Sequence, residues 1–257
     1  MSERPGPRLS VVVPALHEAE RIGATVVAVR AALEPWAADG VEVVVVDDGS
    51  HDGTAEAAEG AGADLVLHHE RNRGKGAAVR TGVAASTGRA VAFTDADLAY
   101  PPEQLLALLQ EVEAGADVVL GNRRDPSSTT VVAASALRDL GGRAINLLTR
   151  SVLSGGWNDT QGGLKAFGGD VGRSLLAVTE VEGFAFDVEV LAVAERWDLR
   201  IVEVPVVVSH SDASTVHVVA DAARLVGDLV GIRRRLRAGR YGVSAVTAEG
   251  HVVPAPE

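Results

Sequence analysis

The sequence has no cysteine among its 257 residues. That excludes a disulfide framework, a thiolate-ligated zinc site and a thiol nucleophile, and it suits a reducing compartment. Long apolar runs are missing as well: nowhere do hydrophobic residues continue for the roughly 18 positions that a membrane-spanning helix needs. The opening MSERPGPR is polar and Pro-rich, so no signal peptide is expected and a cytoplasmic location is. Positive charge is scarce, 24 Lys and Arg against 35 Asp and Glu, for a formal net charge of −11. Such a balance argues against a nucleic-acid partner. Two phosphate-binding signatures are also absent. PALHEAE follows the first strand where a dinucleotide fold would place G-x-G-x-x-G, and no G-x-x-x-x-G-K-[ST] occurs, so neither a Rossmann dehydrogenase nor a P-loop ATPase is indicated.

What is present is a regular alternation of strand and helix patterns. Hydrophobic residues make up 47% of the chain, enough for a full core in one large or two small α/β domains. Leu9–Val13 reads as a buried strand closed by Pro14, and Ile22, Val26, Val29, Leu33 and Trp36 recur at helical spacing. Val41–Val46 is almost wholly β-branched, as in a strand covered on both faces. Further strands are expected at Asp64–His68, Val91–Phe93 and Asp117–Leu120, with a helix in the latter part of NRGKGAAVRTGVAAS. Short connections between alternating elements predict a mostly parallel, doubly wound α/β sheet with flanking helices. The second half is less regular. It predicts a helix over Ser135–Leu153, a turn-rich stretch SGGWNDTQGGLKAFGGD, helices near Val171–Val178 and in FAFDVEVLAVAERW, and a strand IVEVPVVV. A C-terminal amphipathic helix follows at Asp221–Arg237. The expected organisation is a disordered N-terminus over residues 1–8, a single domain over 9–240 with halves 9–125 and 126–240, and a flexible tail over 241–257.

The most informative stretch is VAFTDADLAYPPEQL. Alternate residues of an extended chain point the same way, so Asp95 and Asp97 can both face one spot beyond the strand end. Two hard oxygen ligands suit Mg2+ or Mn2+ beside a substrate phosphate; an acidic strand-to-helix turn explains the same residues equally well. In open α/β sheets ligands sit beyond the carboxyl ends of the strands. Two further polar clusters end strands there: Asp47–Asp48–Gly49–Ser50, and Gly121–Asn122–Arg123. Asp48 suits a hydrogen bond to a ribose or base edge, or a turn; Asp52, in S-H-D-G-T, reads as a turn residue. Asn72, Gly74, Lys75 and Gly76 form a basic, glycine-flexed loop that fits a phosphate or base, or merely leads into a helix. His68 and His69 are adjacent on a strand and point opposite ways, which speaks against zinc.

In order along the chain, VVVPALHEAERI, VVVVDDGSHDGT, NRGKGAAVRTG and FTDADLAYPPE resemble the N-terminal motifs of glycosyltransferase family 2, the GT-A fold. LGNRR, NDTQGGLKAF, FAFDVEVL, EVPVVVSH and DLVGIRRRLRAG resemble its dolichyl-phosphate β-glucosyltransferase and polyprenyl-phosphate-mannose synthase branch. The likeness runs from about Leu9 to Gly239. It implies a metal-dependent, inverting hexose transfer from a nucleotide diphosphate sugar, of UDP-glucose or GDP-mannose type, to a polyprenyl or dolichyl phosphate. The alternatives are a soluble hydroxyl acceptor, a small metabolite or glycan, and a noncatalytic nucleotide-sugar-binding protein; the retained Asp95 and Asp97 speak against the last.

By the same resemblance Pro14, Ala15, Glu18, Asp47, Asp48 and Lys75 line the nucleotide. Asp95, Ala96 and Asp97 hold the donor diphosphate, with Asp95 and Asp97 as metal ligands for Mg2+ or Mn2+. Arg123 and Arg138 face phosphate groups, Asp159 and Gln161 the sugar or acceptor, and Asp187 with Glu189 the reaction centre. A cation stabilises the charge that develops on the leaving diphosphate. A polyprenyl phosphate is already anionic, whereas a neutral hydroxyl needs a base, for which Asp187 and then Asp159 are the candidates. The sequence departs from the branch after His210, where Asp212, Ala213, Ser214 and Thr215 replace a Gly-Ser-Lys/Arg run; His217 is either a partial substitute for the lost cation or a structural or solvated histidine. Arg233, Arg234, Arg235, Arg237 and Arg240 close the last helix. They complement its dipole, or rest on an anionic membrane face as a peripheral contact.

Overall fold

The computed structural model describes residues 6–35, 39–130, 149, 152–157, 159–160, 162–209, 218–242, 245–246 and 252–253, with backbone only at 130, 218–223, 245–246 and 252–253. β1 (Leu9–Ala15), β2 (Val41–Asp47), β3 (Leu65–His68) and β4 (Ala90–Phe93) run parallel, with α1 (Ile22–Leu33), α2 (Thr54–Gly60) and α3 (Lys75–Ala85) as the crossovers. α4 (Leu105–Glu113) leads to β5 (Val118–Asn122), and β6 (Thr129–Thr130) follows. The second half supplies β7 (Lys165–Gly168), α5 (Gly169–Ala177), α6 (Phe186–Arg196), β8 (Ile201–Pro205), β9 (Val207–Val208) and α7 (Val218–Arg237). Seven strands form one sheet in the order β3-β2-β1-β4-β7-β5-β8.

Strand alternation builds the two layers. Val11, Val13, Val43 and Val45 face a core closed by α1, α2 and α4, with Ile22, Val26, Ala58, Leu105 and Leu108 inside it. Val12, Val44, Val46, Phe93 and Leu120 face a second core closed by α3, α5, α6 and α7. Both faces of the sheet are therefore covered, which is why β1 and β2 read as continuous apolar runs rather than alternating ones. This is the mostly parallel α/β sheet with flanking helices that the sequence pattern predicts.

Several expectations need correction. β4 and β5 are not neighbours. β7 lies between them and pairs antiparallel with both, inside the stretch read as turns. The four residues Lys165–Gly168 are short, and Lys165 shares a strand face with Phe167, so a lysine interrupts the apolar signal. IVEVPVVV is two strands, not one: β8 joins the main sheet beside β5, and β9 pairs with β6 in a separate ribbon. Pro205, with no N–H to donate, ends the first. Of residues 1–8, the last three are tied down: Arg89 N donates to Pro7 O at 3.0 Å, Arg8 N to Gly40 O at 3.1 Å, and Arg89 Nη1 to Gly6 O at 3.1 Å. Tyr241, expected to open a flexible tail, is buried at 2% exposure, and beyond it β10 (Ala245–Val246) pairs antiparallel with β11 (Val252–Val253). The expected helix over 135–153 lies almost wholly outside the described residues, as do Arg138, Gln161, His210 and His217.

Candidate active site

The carboxyl ends of β1, β2, β4 and β5 come to one edge of the sheet, and the loops that follow them are laced together. Beyond β1, past Pro14 and Ala15, the backbone N–H groups of His17, Glu18 and Ala19 donate to Ser50 Oγ, Thr54 Oγ1 and Asp52 Oδ2 at 2.8, 3.0 and 3.3 Å. Asp52 also accepts from Thr54 N and Thr54 Oγ1, the structural part expected of it. An open cleft of about 330 Å3 adjoins these loops, lined by Asp47, Ser50, His51, Gly53, Ala55, Glu56 and His68.

Asp47 and Asp48 are both buried, and their oxygens are occupied. Asp47 accepts from Ser50 N at 3.0 Å and meets His68 Nδ1 at 3.0 Å. Asp48 meets His69 Nδ1 at 2.6 Å and accepts from Arg73 N and Gly74 N at 3.0 and 2.7 Å. Asp48 thus shapes the 72–76 loop. Gly74 there has φ 107 and its α-carbon lies so near Glu182 O that an added Cβ would sit 2.5 Å away, so only glycine fits. Gly76 N donates to the same carbonyl at 2.7 Å. The loop delivers Lys75, at the first turn of α3, to the end of β4.

There Lys75 Nζ bonds Asp95 Oδ1. The other oxygen, Asp95 Oδ2, faces Gly163, where a Cβ would lie 2.2 Å from it. Ala96 is held from behind, its carbonyl accepting from Thr25 Oγ1 at 2.6 Å. Asp97 Oδ1 accepts from Ala99 N at 3.0 Å, and Leu98, with φ 50, makes the turn between them. Asp95 and Asp97 are partly exposed, hard oxygen donors of the kind Mg2+ and Mn2+ prefer. Among the described residues no group of three or more His, Asp or Glu could hold a metal unaided. A cation here would complete its shell with oxygens from a bound ligand and from water.

Two more ion pairs flank this point. Arg123 grips Asp159 in a two-pronged pair, Nε to Oδ2 and Nη2 to Oδ1, each 2.7 Å, with Arg123 N adding a third bond at 3.0 Å. Burial opposes both charges. The pairing outweighs it, holding Asp159 below the usual carboxylate range and Arg123 above its ordinary value. The Arg123 side chain remains 40% exposed while that of Asp159 is 3% exposed. The second pair was not foreseen. Lys165, 1% exposed, donates to Asp187 Oδ1 and to Gly162 O, both at 2.6 Å. Burial pushes Asp187 up, against the pull of Lys165 and Lys75. Lys75 is itself raised: burial works against its charge, and Asp95 and Asp187 more than compensate. The two ammonium groups lie 6.0 and 5.6 Å from the Phe93 ring centroid. Two lysines and two aspartates thus form one compact, formally neutral cluster. A lysine within the short apolar run LKAF was the sequence signal for it.

Tyr100, also missed, hangs over the same loop; its hydroxyl accepts from Gly163 N at 3.3 Å, and burial raises its pKa. Glu189, expected at the reaction centre beside Asp187, is turned away. It is fully buried and accepts from Glu180 N, Val181 N, Arg235 Nη2 and Tyr241 Oη at 2.8, 2.7, 2.9 and 2.5 Å. Positions two apart on a helix face nearly opposite ways. Glu189 therefore joins α7 and Tyr241 to the 180–182 segment that holds Gly76.

Comparison with known proteins bears on the family and the fold. The family described as Glycosyl transferase family 2 matches residues 10–166. A dolichyl-phosphate beta-glucosyltransferase of Drosophila melanogaster is 32% identical over 96% of this chain and 80% of its own. A polyprenol monophosphomannose synthase of Mycolicibacterium smegmatis is 32% identical over 79% of this chain and 78% of its own. Among solved structures, glucosyl-3-phosphoglycerate synthase of Mycobacterium tuberculosis, crystallised with Mn2+, UDP-glucose and phosphoglyceric acid, superposes with a TM-score of 0.65 at 21% identity, covering 98% of this chain and 88% of that one.

Proposed function

Since the chain belongs to glycosyl transferase family 2 and is a glycosyltransferase of GT-A fold, we propose that it moves a hexose from a nucleoside diphosphate sugar to a polyprenyl phosphate. The observation that carries the choice of acceptor is the state of the two candidate bases. Asp159 is clasped by Arg123 and Asp187 by Lys165. A hydroxyl acceptor must lose a proton to a base, whereas a phosphate acceptor is already anionic. The phosphate oxygen attacks the anomeric carbon, the bond from that carbon to the diphosphate breaks, and the electron pair leaves with the diphosphate. No proton need move. The acceptor class agrees with the names of the glucosyl and mannosyl relatives, which differ in sugar and so leave the donor open.

In this reading the cleft beside Asp47 takes the nucleoside, with Pro14, Ala15 and Glu18 on its β1 side. Asp95 and Asp97 would hold Mg2+ or Mn2+, which supplies positive charge at the leaving diphosphate. Lys75 turns toward the donor phosphates. Arg123, oriented by Asp159, presents its half-exposed guanidinium to the acceptor phosphate. Val226 and Val230, 44% and 46% exposed, share a helical face of α7 with the exposed Arg233 and Arg237. That combination supports peripheral contact with an anionic membrane, where a lipid acceptor would reside. No described helix is long and apolar enough to cross one.

A second reading, transfer to a soluble hydroxyl, draws on one observation: burial raises the pKa of Asp187, the direction a base requires. The test is label transfer from radioactive UDP-glucose and GDP-mannose, with Mn2+ or EDTA, to a polyprenyl phosphate in detergent and to soluble hydroxyl acceptors. Cation-dependent label in the lipid phase from one donor is expected. Label confined to a soluble acceptor would favour the second reading. Donor binding without any transfer would point to a binding protein.

A further inference from the structure

At the end of β4 the path of a cation to Asp95 is obstructed. One oxygen of that carboxylate, Oδ2, is crowded on one side, lying so close to Gly163 that a methyl group there would not fit. The other, Oδ1, carries the Lys75 ammonium. Both side chains are only partly exposed, 19% for Lys75 and 30% for Asp95, so water screens the pair incompletely. A divalent cation placed on Oδ1 would stand beside an ammonium at contact distance, a like-charge arrangement that a half-buried site does not tolerate. Lys75 also has somewhere else to go. Asp187 acts on it as a second counter-charge, and a donor diphosphate would offer a third.

We propose that Lys75 is a built-in competitor for the cation at Asp95, released only when the donor diphosphate draws its ammonium away, so that cation and donor enter together. This rests on Asp95 being a cation ligand. Lys75 is then a positioning residue in two states: bound to Asp95 in the empty enzyme, and bound to donor phosphate in the loaded one. The arrangement leaves Asp95 neutralised without a metal. It also ties cation occupancy to the presence of substrate.

The test is Mn2+ binding by the full-length protein, read from the loss of the free-ion signal in electron paramagnetic resonance, without nucleotide and then with UDP or GDP. Lys75→Met removes the competitor. The variant is expected to bind Mn2+ alone roughly tenfold more tightly than the parent, the scale of one charge-assisted contact relieved. The gain in Mn2+ affinity on adding nucleoside diphosphate should shrink by a similar factor. Arg73→Met is the control for a general change of field, because Arg73 carries the same charge in the same loop but pairs with Glu182; its Mn2+ affinity should equal the parent's. Lys75→Met with unchanged or weaker Mn2+ binding would overturn the proposal, and so would an equal gain in Arg73→Met. If neither parent nor variant binds Mn2+ even with nucleotide, the cation site itself is wrong. That result is distinct from the failure of the exchange.

Discussion

Replacing Glu189 should separate a structural carboxylate from a catalytic one. Its side chain is fully buried and accepts four hydrogen bonds, from two backbone N–H groups, a guanidinium and a phenol. Glu189→Ala would strand Glu180 N, Val181 N and the Tyr241 hydroxyl proton, whose oxygen still accepts from Arg235 Nε, and leave Arg235 with one fewer partner. A buried donor left unpaired costs about 1–3 kcal/mol, and removing one member of a buried charge pair about 3–5 kcal/mol. These contributions are not additive within one network, so about 4 kcal/mol in all is expected. For a domain of this size that corresponds to a fall in melting temperature of roughly 10 °C. Tyr241→Phe, which deletes one hydroxyl, should cost about 1 kcal/mol. Urea titration and thermal melting read both values, and donor affinity of the folded fraction is measured in parallel. The loss should appear in stability first, with Lys75-dependent binding weakened only through the 180–182 segment that accepts from Gly76 N. A Glu189→Gln protein that melts within about 1 kcal/mol of the parent yet has lost transfer altogether would refute the argument.

Three other outcomes follow from the geometry. Gly163→Ala should lower transfer at least tenfold while costing little stability, because the new methyl would collide with Asp95 Oδ2 and turn the carboxylate; a kcat and KM measurement beside a melting curve decides it. The lowered pKa of Asp159 means that its pairing with Arg123 stabilises the fold fully above the ordinary carboxylate pKa. That contribution is lost as pH falls through the depressed folded value, so Asp159→Asn should flatten the acid limb of a stability profile taken from pH 6 to pH 2, an unchanged limb counting against the pair. Lys165→Met should be severely destabilising alone, since it leaves Asp187 buried without its closest cation. Lys165→Met with Asp187→Leu should recover much of the stability yet stay inactive, and an additive double mutant in urea titration would show the two are not coupled.

Much of the fold was written in local pattern. β1, β2 and α1 carry periodicities that leave little choice, because each buries valines or isoleucines at the spacing of its own geometry. β7 was hidden for the opposite reason. Its sequence has four residues, one of them charged, and its place between β4 and β5 is set by antiparallel partners more than 40 positions away in the chain, which local periodicity does not register. The split of IVEVPVVV is similar, since the proline was visible but the partner of Val207–Val208, at Thr129–Thr130, was not.

The site divides along the same line. Asp95 and Asp97 stand out in the sequence because an apolar strand pattern stops at them and Pro-Pro follows, although β4 ends at Phe93 and a turn rather than strand alternation carries the two carboxylates. What each carboxylate faces is decided by tertiary contacts at separations of 22 residues for Lys165 with Asp187 and 36 for Arg123 with Asp159. Hence two residues two positions apart in FAFDVEV, Asp187 and Glu189, look alike in sequence and do unlike work. A helix turns about 200° between them, which sends one to the lysines beneath Phe93 and the other to Tyr241. The same reasoning accounts for Asp48. At the end of a parallel strand it was a natural candidate ligand for a nucleotide, yet His69, Arg73 N and Gly74 N occupy it, so what it does in the folded chain is shape the loop that carries Lys75. Strand ends thus indicate where the chemistry gathers, while charge pairing decides which of the gathered groups remain free to act, and pairing is a property of the folded chain alone.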